Sequence, residues 1–371
     1  MKLASTLLSS HDNNRKNNFT LIRIMCAWLV IYGHSYAIQN SINMNDPLNI
    51  IFKGSDYIGG FAVDAFFIIS GYLVTASLLK QGAAYYAVSR ILRVFPALFI
   101  CVLLSVFALG WAVTSLDTHA YFTNPQTRKY FINLLPFINI EYLLPGVFEN
   151  HSDSAVNGSL WTLIVELRCY FLLMLLGLFG AFRNKIMANF TLLALFAFGL
   201  FFYESIPFLG KGATIHWPSL SFFFLIGVFF YINRDKIWLD PRLAFLALIL
   251  IFSSFGEKWF HAIFPMSFAY FIFYFAYSTP FINVDKKVGD ISYGIYIYGW
   301  PTQELVAYLF PALHPKGNIL ISTAIVLPLA YLSWHFIEHP SLSLKNRFFQ
   351  SIILKKLNTS FSNFRLKPTK I

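Results

Sequence analysis

Charge is what this sequence has least of. Only 12% of its 371 residues are Asp, Glu, Lys or Arg, and 57% are hydrophobic; a soluble globule carries roughly a quarter charged residues. A soluble enzyme is excluded on that ground. Acidic residues are scarcest, 17 against 28 Lys and Arg, for a net charge of +11. That excess does not mark a nucleic-acid binder, because the basic residues lie between apolar runs and form no soluble patch. The three cysteines, Cys26, Cys101 and Cys169, all sit inside apolar runs. Their spacing offers neither a metal site nor a disulfide framework, so they read as packing residues. The first apolar run lacks a small-residue cleavage site and reads as a retained span, not a signal peptide. No internal repeat is visible, which weakens a transporter reading. The longest loop, about 114–158, is too short for a separate core. The Asn-X-Ser/Thr triplets at Asn157 and Asn189 read as chance matches.

What is present is a series of apolar runs near the length that crosses a bilayer, helical in pattern and too long for barrel strands. The expected fold is an all-α polytopic bundle of about ten transmembrane helices: 19–39, 57–79, 91–113, 159–182, 186–203, 216–233, 243–256, 261–277, 290–310 and 318–338. The stretch 130–148, with Pro136, Glu141 and Pro145, reads as interfacial or re-entrant. With the N-terminus in the cytoplasm, the outside segments hold only Lys53, Arg128, Lys129, Lys211, Lys258 and Lys316. Most other Lys and Arg fall inside, as the positive-inside rule requires. This gives an N-terminal cytoplasmic segment 1–18, a membrane domain 19–340 and a basic tail 341–371, which would lie along the anionic leaflet. Both termini are expected in the cytoplasm, with membrane lipid as a partner.

Ionisable residues inside the spans are the candidate chemistry. Arg23 and His34 are eleven residues apart in the first run, on one helical face and about 16 Å apart along the axis. Counting rises from the expected ends puts Asp64 of span two and Glu166 of span four about 10 Å below the outer surface, at the height of His34. An imidazole with two carboxylates at one level suits proton transfer. Arg90 and Arg93, one turn apart at the inner end of span three, form a fork suited to phosphate oxygens, or simply obey the positive-inside rule. Tyr293, Tyr296 and Trp300 open span nine as an aromatic stripe, either part of a site or an interfacial belt. Glu338, at the end of the last span, either caps the inner vestibule or marks the interface.

These blocks, in this order, resemble acyltransferase family 3 of bacterial membrane enzymes. The matching pieces are Arg23 with His34, the block Gly59-Gly-Phe-Ala-Val-Asp64 through Ser70-Gly71-Tyr72-Leu73, Arg90 to Pro96, Ser159-Leu-Trp161-Thr-Leu-Ile-Val-Glu166, Ile291-Ser-Tyr293-Gly-Ile-Tyr296, and Phe336-Ile-Glu-His-Pro340. The resemblance implies an integral inner-membrane O-acyltransferase of bacteria. It would pass an acyl group, commonly acetyl, from cytoplasmic acyl-CoA to a hydroxyl of an envelope glycan, such as O-antigen, exopolysaccharide or a lipid-linked oligosaccharide. On that reading His34, Asp64 and Glu166 are catalytic, and Arg23, Arg90 and Arg93 hold acetyl-CoA. Tyr72, Ser159, Trp161 and Tyr293 would contact substrate, and no metal is required. Many members have a histidine before the Trp-Pro of span nine, where this chain has Gly299. The rival readings are a proton-coupled permease and a non-catalytic assembly factor.

Overall fold

The computed structural model describes residues 5–12, 16–39, 46–137, 139–151, 153–202 and 217–345. Most of the expected basic tail lies outside the described residues, as do Arg15 and Lys211. Ten long helices run through the described part. They are α1 (Phe19–Ile38), α2 (Ile58–Gln81), α3 (Ala83–Leu104), α4 (Trp161–Leu178) and α5 (Lys185–Phe202). After them come α6 (Trp217–Ile232), α7 (Pro241–Ser254), α8 (Phe260–Ser278), α9 (Ser292–Leu309) and α10 (Pro315–Ser333).

Each expected apolar run therefore carries a helix, and the all-α class holds. Six stretches among the described residues are long and apolar enough to cross a membrane: α1, α2, α3 with its continuation to Val113, α4, α8, and α10 with its continuation to Lys345. The apolar portions of α5, α6 and α7 are shorter, and α9 carries Gln303 and Glu304. Ten crossings therefore rests on the sequence pattern alone. Large apolar side chains such as Phe190, Phe245, Leu320 and Phe336 are exposed. Such a surface is unstable in water and suits lipid.

Local signals set where helices begin. Asp240 caps α7, its Oδ1 accepting from Arg242 N–H at 2.8 Å, and Pro241 takes the first helical position. Pro315 opens α10 in the same way, behind His314. Proline there has no N–H to waste and a φ already suited to the helix. These starts precede the apolar residues, so the helices begin two or three residues before the expected spans.

Two glycines bring α2 and α6 together. A Cβ at Gly71 would collide with the Phe224 carbonyl, and one at Gly227 with the Ile68 carbonyl. Without a hydrophobic drive between helices in lipid, such close backbone approach supplies the packing. It carries Tyr72 into an aromatic cluster with Phe19, Tyr231 and Phe273.

The outer connection is folded tightly. The expected interfacial segment makes a short 3-10 turn at Tyr130–Leu134 and then an extended chain. Tyr130, Ile140, Leu144, Val147 and Phe148 are buried with the far half of α3 and the start of α4. Pro301 inside α9 explains one of its anchors. Proline has no N–H for the carbonyl four residues earlier. That carbonyl, of Ile297, instead accepts from Asn157 Nδ2 at 2.9 Å and from Cys101 Sγ at 3.4 Å. Asn157 is thus fully committed inside the protein, and all three cysteines are free and buried.

The N-terminal segment is also pinned. Strand β1 (Thr6–Leu7) pairs antiparallel with β2 (Trp238–Leu239), which precedes α7. Arg234 donates to Asp12, and Lys80 Nζ reaches the Asp12 carbonyl at 3.1 Å. The N-terminus, the end of α2 and the α6–α7 connection therefore share one side, as the charge pattern requires.

Candidate active site

The arginines converge first. Arg23 Nη1 meets Asp290 Oδ2 at 3.0 Å, and Arg93 Nη2 meets the same oxygen at 2.7 Å. Arg93 Nη1 reaches Glu338 Oε2 at 3.1 Å. Two cations and two anions alternate in a chain across α1, α3, α9 and α10. Ser292 donates to Asp290 Oδ1 at 2.6 Å, and Ser333 donates to Glu338 Oε1 at 3.1 Å. Glu338 arrives there because the end of α10 widens into a π turn, Trp334–Glu338, a local distortion common at functional sites.

Arg90 is different. It has no carboxylate at ion-pair distance among the described residues, and its Nε is buried without a hydrogen bond. Its guanidinium lies 5.7 Å from the Tyr170 ring centroid. Tyr170 donates a hydrogen bond to Glu166, and Ser70 donates to the same oxygen at 3.5 Å. Arg23, Arg90 and Arg93 line one cavity with Glu166, Tyr170 and Tyr293. Arg23 and Arg93 are already balanced by Asp290 and Glu338, so Arg90 is the guanidinium of this wall with no ion pair among the described residues. Tyr293 donates to the Val94 carbonyl at 3.0 Å, which fixes its ring beside Arg93.

Outward, the cavity ends at Thr162 and Tyr296, whose hydroxyls are 2.6 Å apart. Both hydroxyls also face the Ser159 carbonyl, each at 3.2 Å. One turn further along α9 is Trp300. The His34 ring stands edge-on to Trp300 at 4.7 Å between centroids and stacks on Tyr57 at 6.4 Å. Trp300 is held by its Nε1–H to the Ala155 carbonyl at 2.9 Å. Asp64 is buried beneath this layer, within electrostatic reach of Tyr57 and Asp56.

His34, Asp64 and Glu166 therefore do not share one level. No hydrogen bond among the described residues joins His34 to either carboxylate, and Glu166 belongs with the arginines. The reason is the outer connection. It folds into the bundle, so α4 begins deep inside rather than at the surface. Thr162 meets Tyr296, only about 9 Å along α9 from Asp290, and Glu166 lies a further turn inward. Tyr72, in its aromatic cluster, is apart from the cavity. Ser159 is buried just beyond the cavity's outer end, and Trp161 packs against the apolar core. Gly299 lies against α1, where an added Cβ would stand 3.2 Å from Ile31 Cγ1. A histidine there would have to displace Ile31.

Some residues escaped the sequence reading. Asp290 stands at the first position of the expected span 290–310 and carries no local signal of its role. Gln303 donates to the Ile31 carbonyl at 2.7 Å and to Ser35 at 2.6 Å, in a buried polar layer that only long-range packing creates. Among the described residues no group of His, Cys, Asp and Glu is placed to hold a metal.

A family model described as "Acyltransferase domain" matches residues 16–337. The chain belongs to this acyltransferase family. The match begins before α1 and runs almost to the end of the π turn, so Arg23, Arg90, Arg93, Asp290 and His34 lie within it and Glu338 falls one residue beyond. One relative is named "O-acetyl transferase", from Shigella phage Sf6. It is 27% identical over 355 residues, covering 88% of this chain and 96% of the relative. Another is "Nodulation protein 10" of Rhizobium leguminosarum bv. viciae, 29% identical over 381 residues, covering 95% and 99%. No solved structure matches. The protein is a membrane acyltransferase, which decides against the permease and assembly-factor readings.

Proposed function

We propose that this acyltransferase moves an acetyl group from acetyl-CoA to a hydroxyl of an envelope glycan, working in the bacterial cytoplasmic membrane. The observation that carries the donor half is the meeting of Arg23, Arg90 and Arg93 on one cavity. Guanidiniums suit phosphate oxygens, and Arg90 has an Nε with no hydrogen-bond partner while Arg23 and Arg93 are held in place by Asp290 and Glu338. The positive-inside pattern supports a cytoplasmic position for that cavity, the side on which acyl-CoA is made. His34 lies further along α1, toward the opposite face, where a glycan would arrive. The acetyl group and the oxygen acceptor are in keeping with the printed name of the phage relative.

In this reading the donor's phosphates rest on the arginines, and its acyl end reaches His34 when the Thr162–Tyr296 hydroxyl pair that closes the cavity parts. The hydroxyl oxygen attacks the thioester carbonyl as His34 takes its proton. The carbon–sulfur bond then breaks, and the leaving thiolate recovers that proton from His34. Trp300 and Tyr57 hold the imidazole and exclude water, which would otherwise hydrolyse the thioester.

The test is mass spectrometry of surface polysaccharide from cells with and without the protein. One extra acetyl unit per repeat is expected with it. Membrane vesicles given acetyl-CoA labelled in the acetyl group identify the donor. Label that never reaches polysaccharide would overturn this reading.

A further inference from the structure

The outer end of α9 carries a second pair that the transfer step does not use. Tyr296, Trp300 and Glu304 are four residues apart and form one stripe. Tyr296 closes the arginine cavity and Trp300 takes His34. Glu304, one turn beyond, takes His151 of the outer connection, whose Nδ1–H donates to Glu304 Oε2 at 2.5 Å. An ionised carboxylate can only accept, so a neutral His151 would turn its Nδ1–H to Glu304 and keep the lone pair on Nε2.

The pair is oddly built for a mere clamp. Glu304 is 1% exposed, and its other oxygen, Oε1, is buried with no hydrogen bond. A half-satisfied buried carboxylate is costly, and an apolar contact would fasten the loop better. The surroundings are aromatic. His151 stacks on Phe148 at 5.0 Å between centroids, and Tyr308 lies 6.0 Å from Phe148 and 6.3 Å from His151. Phe148 itself sits at φ 56°, a backbone region that bulky residues rarely enter. Tyr308 is 46% exposed. An exposed ring face beside an imidazole with a free acceptor matches the two sides of a sugar, whose C–H face is apolar and whose rim is hydroxyl.

We propose that His151, Glu304 and Tyr308 form the acceptor subsite, where a pyranose ring of the glycan stacks on Tyr308 and a ring hydroxyl donates to His151 Nε2. Glu304 acts through His151 as a positioning residue. This rests on the transfer reading, which it deepens by saying where the acceptor docks. From Glu304 the stripe leads back through Trp300 to His34, about 6 Å per step along the axis. A polysaccharide anchored here would extend its next sugar toward the imidazole.

The test is equilibrium binding, without donor, of fluorescently end-labelled surface polysaccharide from cells lacking the protein to the full chain in lipid nanodiscs. Tyr308→Ala and His151→Gln should each weaken binding by about five- to tenfold, and Tyr308→Phe by less than about twofold, because the ring face is kept. All three should bind acetyl-CoA as the parent does, a readout that misfolding would move. Tyr308→Ala and His151→Gln proteins that bind polysaccharide normally would overturn the subsite, as would a parent protein that binds none. A parent that binds polysaccharide but never acetylates it would overturn the transfer reading and leave the subsite standing.

Discussion

Arg23 and Arg93 share a single carboxylate oxygen, Oδ2 of Asp290, at 3.0 and 2.7 Å. The two arginines come from helices far apart in sequence, and neither can relax without disturbing the other. Asp290→Ala leaves both guanidiniums short of an anion. The expected loss is on the order of 2 kcal/mol, less than for a fully buried pair because the Arg23 side chain keeps 24% of its exposure. Thermal unfolding in detergent measures it. The double variant Arg23→Ala/Asp290→Ala should lose less than the sum of the two singles, since they remove the same contact. Strict additivity would show that the shared oxygen couples nothing.

Arg90 should behave unlike Arg93. It holds no ion pair among the described residues, so Arg90→Ala is expected to leave the melting temperature nearly unchanged. It should raise the KM for acetyl-CoA about tenfold or more, the worth of one charge-assisted hydrogen bond. Arg93→Ala should lower both donor affinity and melting temperature. Steady-state kinetics beside a melting curve separates the two, and an unaltered KM in Arg90→Ala would remove it from the donor site.

His34→Ala should cut transfer by roughly 10²- to 10⁴-fold, the usual worth of a positioned base. The variant should still reach the membrane in normal amount, because among the described residues its ring makes aromatic contacts and no hydrogen bond. Immunoblots of membranes, run beside the labelled-acetyl assay, distinguish lost chemistry from lost protein. Undiminished transfer would take His34 out of the reaction.

Asn157→Ala should destabilise the fold by about 1–3 kcal/mol, because it strips a buried carbonyl of its main partner. Pro301→Ala in the same chain should recover part of that loss. An alanine at 301 supplies the N–H that Ile297 lacks. If the second substitution gives no recovery in thermal unfolding, the Ile297 carbonyl is not what Asn157 serves.

Much of this architecture can be read from residue order. Apolar runs announce the helices, and the placement of Lys and Arg supplies an expectation of their direction. The Arg23–His34 spacing puts both residues on a face that points into the protein. What residue order hides is depth. Rise per residue is reliable only from a known starting level, and α4 starts below the surface because the outer connection is buried. That one fact carries Glu166 away from His34 and toward Arg90. Partners supplied from far along the chain are hidden too. Nothing local says that Asp290 and Glu338 will claim Arg93, or that Glu304 will meet His151. Tyr72 is a related case. Its neighbour Gly71 draws α2 against α6, so the tyrosine fills an aromatic cluster instead of facing the cavity.

The pairing of Thr6–Leu7 with Trp238–Leu239 has an implication for biogenesis. The earliest strand to leave the ribosome has no mate until six helices have been synthesised and inserted. Through that interval its edge is open to chaperones, to other nascent chains and to any tag fused ahead of it. A bulky fusion at the amino end would crowd this two-residue pairing, and placing it at the opposite terminus avoids that contest.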